Sequence, residues 1–253
     1  MFNPLNHPFF LLLVSLAVFW IAAKIGAFFH ARQTNAGADT FEDFKLILGA
    51  TLTLLGLIIG FTFSMAVSRY DQRKNLEEEE ANAIGTEYAR ADLLPADDAA
   101  ALRAMLQSYL HQRILYYTTA NQQRLQQITA ETSKIQTAMW SAVAISASQQ
   151  PTPVRALVVA GLNDVLNSQG YTQAAWWNRI PVAAWMLMIT IGLFCNVLVG
   201  YVAHTRSALL LWILPIALAI SLFLIADIDS PVQGVIRVAP PNLQSLAASM
   251  QSH

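Results

Sequence analysis

Four long apolar runs separated by polar sequence dominate the pattern of this chain. The first extends from Phe9 to Phe29, interrupted only by Lys24, and the second from Leu46 to Val67 without a charge. The third covers about Val182 to Ala203 and the fourth about Ala208 to Ala226. A helix crossing the hydrocarbon needs about 20 apolar residues, because each advances about 1.5 Å through a core about 30 Å thick. Each run therefore predicts a transmembrane helix, with Lys24 snorkelling its ammonium to the interface. A signal peptide would carry a cationic leader, and Met1 to Pro8 holds no Lys or Arg, so the first run is expected to be an anchoring helix. Trp176, Trp177, Arg179 and Pro181 lead into the third run as an interfacial belt followed by a helix start, and Pro215 predicts a kink in the fourth. Only His204, Thr205, Arg206 and Ser207 separate the last two runs, which predicts a tight antiparallel hairpin. A longer loop, about Ala31 to Lys45 with Asn35, Gly37 and Asp39, joins the first two.

The polar sequence between the second and third runs keeps a helical period. Leu76, Ile84, Tyr88 and Ala91 recur near one face, so the second span is expected to continue out into water. Four consecutive carboxylates, Glu77 to Glu80, point around most of a helix and cannot converge on one ion, which predicts a solvated charged face. Pro95 breaks the helix, and Asp97 and Asp98 suit the N-terminus of the next. Leu102, Met105, Leu106, Tyr109, Leu110, Arg113 and Tyr117 form its stripe, and Leu125, Ile128, Ile135, Met139, Ala142 and Val143 mark another. Gln149 and Gln150 before Pro151 read as that helix's end. Thr152 and Pro153 then form an N-cap and first-turn proline, ahead of a stripe at Val154, Leu157, Val158, Gly161, Leu162 and Val165. Gly170 reads as the stop. With no alternating strand pattern and no internal repeat, the expected fold class is an all-α integral membrane protein. It has four transmembrane helices in two pairs and a helical middle domain. The expected blocks are residues 1–68, the first pair (about 9–29 and 46–68); 69–179, the soluble middle domain; 180–230, the second pair (about 182–203 and 208–226); and 231–253, a C-terminal tail.

Composition agrees with that division. Of 253 residues, 55% are hydrophobic and only 12% charged, against roughly a quarter charged in soluble domains. The net charge is −1 and no basic stripe exists, so nucleic acid is excluded as a partner and the lipid bilayer takes its place. A single cysteine, Cys195, excludes a disulfide within the chain and reads as a packing residue. Four crossings put the N-terminus, middle domain and C-terminus on one side. Arg69, Arg73, Lys74, Arg179 and Arg237 on that side, against Arg32, Lys45 and Arg206 opposite, predict that this side is cytoplasmic.

Catalysis needs a nucleophile beside a base, a metal-ligand spacing or a phosphate loop, and the sequence offers none of these. His7, His30, His111, His204 and His253 are scattered, so no enzyme, metal site or cofactor is expected. Attention falls instead on the second span, where Thr51, Thr53, Thr62 and Ser64 interrupt the apolar residues and Gly49, Gly56 and Gly60 supply small surfaces. Two readings stay open. Gly56 and Gly60 can form a small-xxx-small packing face, with the hydroxyls bonded to their own helix, or the helix can line a pore.

Gly60 and Phe61, seven residues, then Arg69 and Tyr70 carry a resemblance to the pore helix of the bestrophin anion channels. Asp227, Ile228, Asp229, Ser230, Pro231 and Gly234 resemble the acidic, proline-containing segment after the last bestrophin span. The run from Gly60 through Leu94, with Asp71, Glu79, Ala81, Asn82, Ala83, Ile84, Gly85, Arg90 and Ala91, is similar to the bacterial bestrophin-like proteins, a family with no firmly assigned activity.

The resemblance implies a homo-oligomer, a pentamer as in bestrophins, conducting small ions such as chloride in the bacterial inner membrane. It places a hydrophobic neck at Thr53, Leu57 and Phe61, one turn apart on the second span, where bestrophins carry three bulky residues. Thr53 departs from that pattern, being small and polar. The resemblance implies no calcium site, because bestrophins that respond to calcium gather several carboxylates and carbonyls, whereas only Asp227 and Asp229 stand here. Those two residues are expected to mark the membrane exit, with Pro231 ending the helix. The competing function is a non-conducting membrane scaffold whose middle domain binds a cytoplasmic partner.

Overall fold

A computed structural model describes residues 7–32, 38–202, 210–231 and 234–251. The described residues form α1 (Pro8–Arg32), α2 (Ala38–Arg90), a 3-10 turn (Ala91–Leu93), α3 (Ala96–Thr118), α4 (Gln122–Gln149), α5 (Pro153–Trp177), α6 (Val182–Val202), α7 (Leu210–Asp229) and α8 (Pro241–Gln251). No strand occurs among them, and four helices are long and apolar enough to cross a membrane. The protein is therefore an all-α membrane protein. Its hairpin residues His204, Thr205, Arg206 and Ser207, the loop residues Asn35 and Gly37, and His253 lie outside the described residues. The loop expected up to Lys45 is shorter than its composition suggests, because α2 is already helical at Ala38.

The chain divides into two compact units, one of Met1–Arg69 with Arg179–Ile236 and one of Tyr70–Asn178 with Arg237–His253. In the first, α1 packs along both α6 and α7, while α6 and α7 meet each other over a shorter stretch. Small residues allow the α1/α6 contact. A Cβ at Gly26 would overlap the Val197 carbonyl, and one at Gly200 would overlap the Ala23 carbonyl. Each glycine thus admits the partner backbone, the close approach by which membrane helices associate without a hydrophobic driving force. Phe19, Ala23 and Cys195 are fully buried beside this crossing, and Trp20 stacks on Trp212 of α7 with ring centroids 5.2 Å apart.

The second unit is built on a helical core of its own. Leu102, Leu106 and Tyr109 of α3, Met139 and Val143 of α4, and Val158, Leu162 and Val165 of α5 are buried together. Each such side chain contributes about 1.5–3 kcal/mol of transfer free energy. Local signals start the helices. Asn121 accepts from Arg124 N at 3.0 Å to cap α4, and Thr152 accepts from Arg155 N at 3.2 Å to cap α5, with Pro153 in the first turn.

Gly170 does not stop α5, which continues to Trp177. Mid-helix glycine costs only about 1 kcal/mol, and burial of Thr172, Ala175 and Trp176 beyond it outweighs that cost. Trp176 is a core residue here instead of a belt residue, its ring 4.7 Å from Tyr116 and 5.3 Å from Tyr117, whereas Trp177 is exposed. Within the C-terminal tail, residues Pro241–Gln251 form α8, which packs on α3 and buries Leu243 and Met250.

Candidate functional site

The second apolar run, in α2, is packed unlike the other membrane-length helices. Only 11% of its apolar window is buried, against 33% in α1 and 50% in α7. Leu55, Thr62 and Ala66 face inward. Thr53, Leu57 and Phe61 lie on the opposite, exposed side, with Leu57 at 53% and Phe61 at 66% accessibility. Residues four apart stack along one helix face, so these three form a ridge. The glycines beside it are open: among the described residues, a Cβ at Gly49, Gly56 or Gly60 would have no neighbour within 4 Å. Among the described residues nothing packs on Gly56 or Gly60, and the close backbone approaches of the first unit fall at Gly26 and Gly200. The hydroxyls return to their own helix, Thr51 to Ile47 O at 2.7 Å, Thr53 to Gly49 O at 2.9 Å and Thr62 to Ile58 O at 2.8 Å. Thr53 thus spends its donor on its own backbone, which lessens the polarity it offers outward.

The end of the apolar run is tied to the acidic segment. Arg69 Nη1 lies 3.8 Å from Asp229 Oδ1, and Asp229 also accepts from the Ile180 amide at 3.3–3.4 Å. Asp227 uses both carboxylate oxygens on the returning chain, accepting from Val235 N and Ile236 N at 2.8 Å each. Gly234 makes that bracket possible, since a Cβ there would stand 2.5 Å from Asp227 Oδ1. Helix α7 ends at Asp229, with Pro231 buried just beyond. Both acids are buried, with amide and guanidinium donors around them. This is an arrangement that pins a chain reversal; a hard cation would want six to eight oxygens instead. Tyr70 belongs to the second unit, half-buried with the Lys74 ammonium 5.8 Å from its ring centre.

Further along α2 the expectation of a solvated charged face fails for half of its acids. Glu78 and Glu79 are exposed, but Glu77 and Glu80 are buried, as are Arg73 and Glu87. Arg73, Glu77, Glu80, Ile84, Glu87 and Ala91 alternate in steps of four and three, a heptad seam turned into the second unit. Each charge has a specific task. Arg73 donates to Ala175 O at 3.2 Å and Asn178 O at 3.1 Å, closing the C-terminus of α5. Glu77 accepts from Leu243 N at 2.9 Å and Asn242 Nδ2 at 2.7 Å, capping α8. Glu80 pairs with buried Arg113 and accepts from Tyr117 Oη at 3.4 Å and Thr172 Oγ1 at 3.3 Å. Burial and the Glu80 charge both push the Tyr117 phenol up.

Glu87 is different. Desolvation raises its carboxyl to about 8, with Arg90 opposing and Asp164 adding to the rise. Gly161 of α5 leaves the space its side chain occupies, as a Cβ there would overlap the Glu87 carboxylate. The signal for this seam was in the sequence: the charges share heptad positions with Ile84 and Ala91.

A family model described as a Bestrophin-like domain matches residues 9–243. No curated protein matches the chain. Among solved structures, a single-substitution variant of a bacterial bestrophin homologue from Klebsiella pneumoniae aligns with TM-score 0.63 at 14% identity, covering 97% of this chain and 96% of that one. A second crystal structure of that homologue, phased with zinc, aligns with TM-score 0.62 at 16% identity, covering 96% and 95%. At such identities the likeness is one of fold.

Proposed function

Because this chain belongs to the bestrophin-like family, we propose that it forms a homo-oligomeric channel for small anions, with α2 of each copy lining a common axis. The observation that carries the reading is the bare apolar ridge of α2. Leu57 and Phe61 stand out from the chain beside glycines that nothing fills. An all-apolar side chain exposed in one copy is expected to meet lipid or further copies. Glycines at one-turn spacing favour copies, since they permit close helix approach.

Closed rotational symmetry would bring the ridge of each copy to one axis. Five copies are proposed by family resemblance. Rings of Leu57 and Phe61 would then gate conduction by dewetting. A ring of Thr53, smaller and with its hydroxyl turned to Gly49 O, would form a wider and less repellent step. The chain would act without catalysis, in the bacterial inner membrane, with the N-terminus, second unit and C-terminus cytoplasmic.

Reconstituted protein should pass chloride across planar bilayers, and Leu57→Ala with Phe61→Ala should raise the conductance. Silence of both proteins, in oligomers of verified mass, would dismiss conduction. A scaffold reading has one observation in its favour, an apolar groove in the second unit beside Trp140, Pro151, Ala156 and Val159. It predicts a monomer or dimer by mass in detergent.

A further inference from the structure

Glu87 is fully buried, and neither of its carboxyl oxygens has a hydrogen-bond partner among the described residues. Its side chain fills the notch at Gly161 of α5. A Cβ at that glycine would stand 2.0 Å from Glu87 Oε2 and 2.3 Å from Arg90 Nη1, so carboxyl and guanidinium flank one point without a hydrogen bond between them. Arg90 also reaches α5, donating to Leu157 O at a long 3.5 Å. Two side chains at the end of α2 are thus lodged against a single turn of α5, from Leu157 to Gly161.

A carboxylate without donors is costly in such a place, whereas the neutral acid has no charge to desolvate. Burial leads and lifts the Glu87 carboxyl to about 8, with Arg90 of its own helix opposing the rise and Asp164 of α5 adding to it. Of the other charges on α3 and α5, Arg103 pairs with Asp92 and Arg113 with Glu80, Asp98 accepts from Ser146, and Arg155 donates to Ser146 O and Gln150 Oε1. Asp97 and His111 are exposed. An ionised Glu87 therefore finds its donor in Arg90, three residues on along the same helix face. Closing that pair draws the carboxylate out of the notch and Nη1 off Leu157 O. We propose that Glu87 is a proton-controlled catch between α2 and α5: neutral, its carboxyl fills the Gly161 notch, and ionised, it turns to Arg90 and releases α5 at Leu157. The catch lies wholly within the second unit and does not require that the protein conduct.

Hydrogen–deuterium exchange over residues 153–165, read by mass spectrometry on the full-length protein in detergent, tests this. Wild type and Glu87→Gln are compared at each pH, so the intrinsic pH dependence of exchange cancels. Glu87→Gln keeps the shape of the side chain and stays neutral, which holds the catch closed. For a midpoint at about 8 the ionised fraction rises about tenfold between about pH 7 and about pH 9, and the ratio of wild-type to variant exchange should rise by a similar factor. Gly161→Ala, whose Cβ displaces the Glu87 carboxyl, should exchange fast over this segment at both pH values. Arg90→Gln removes the cation that favours ionisation and should move the midpoint to higher pH, an effect that a merely structural Glu87 would not produce. Infrared spectra of the folded protein give a second readout: a protonated-carboxyl band that fades as pH passes about 8 and is missing from Glu87→Gln. An exchange ratio that stays level across the window, a midpoint unmoved in Arg90→Gln, or no such band on the acid side of the midpoint would each overturn the inference.

Discussion

Helix α2 inverts the usual rule of burial along its own length. Its apolar half, residues 46–67, leaves Leu54, Leu57, Phe61 and Phe63 exposed, while its charged half buries Arg73, Glu77, Glu80 and Glu87. The two halves find their partners in different places. Each buried charge in the polar half is set against a named group of the same chain or, for Glu87, into a notch left by Gly161. The apolar half has few partners among the described residues and open space at three glycines; on the proposed reading, other copies complete it. Residue type alone is thus a poor guide to burial on such a helix, and the periodicity and the presence of a matching partner decide.

The largest effect should come from breaking the polar half at its centre. Arg113→Leu leaves Glu80 buried without its cation, and removing one partner of a buried pair costs about 3–5 kcal/mol. Thermal unfolding in detergent should fall sharply, and replacing Glu80 as well, Glu80→Leu with Arg113→Leu, should recover much of the loss. Glu77→Ala comes next. It strips the cap from Leu243 N, costs about 1–3 kcal/mol, and should appear as faster amide exchange confined mainly to 241–251.

Glu87 makes a pH-dependent test. Its carboxyl is raised in the folded protein from an ordinary 4.5 to about 8, so the folded state binds the proton more tightly than the unfolded state. The Glu87 contribution to stability is then fully present below about 4.5 and is lost as pH rises through about 8. Glu87→Gln should flatten that part of the profile and be more stable than wild type at the alkaline end, read from unfolding midpoints across the window. The smallest effect on subunit stability belongs to the apolar half. Leu57→Ala with Phe61→Ala truncates exposed side chains and should change subunit unfolding by no more than about 0.5 kcal/mol, while conductance through the oligomer changes. A large loss of subunit stability would mean that the ridge packs within the chain.

Much of this fold was legible because run length and caps are local. Four apolar runs long enough to span, and the Thr152–Pro153 start of α5, needed no knowledge of the rest of the chain. The misreadings share a cause. Glu80 looked solvated because Arg113, Tyr117 and Thr172 are far away in sequence, and Glu77 because its partners lie in α8, at the chain's other end. Gly170 looked like a stop because the burial that carries α5 past it is supplied by tertiary neighbours. Spacing identified Gly56 and Gly60 as a small surface without saying which helix reaches it; among the described residues the close backbone approaches fall instead at Gly26 and Gly200. At the acidic segment α7 ends at Asp229, and the amides of Ile180, Val235 and Ile236 that occupy the two carboxylates were not legible, because they lie on other stretches of the chain.

The central claim is that the bare ridge of α2 faces other copies of itself around an axis. Electron cryo-microscopy of the assembled protein in lipid nanodiscs tests it most directly. The account predicts a closed ring of subunits with Leu57 and Phe61 of every copy pointing at the symmetry axis. Density in which those side chains face lipid, or in which no axis passes α2, would contradict it.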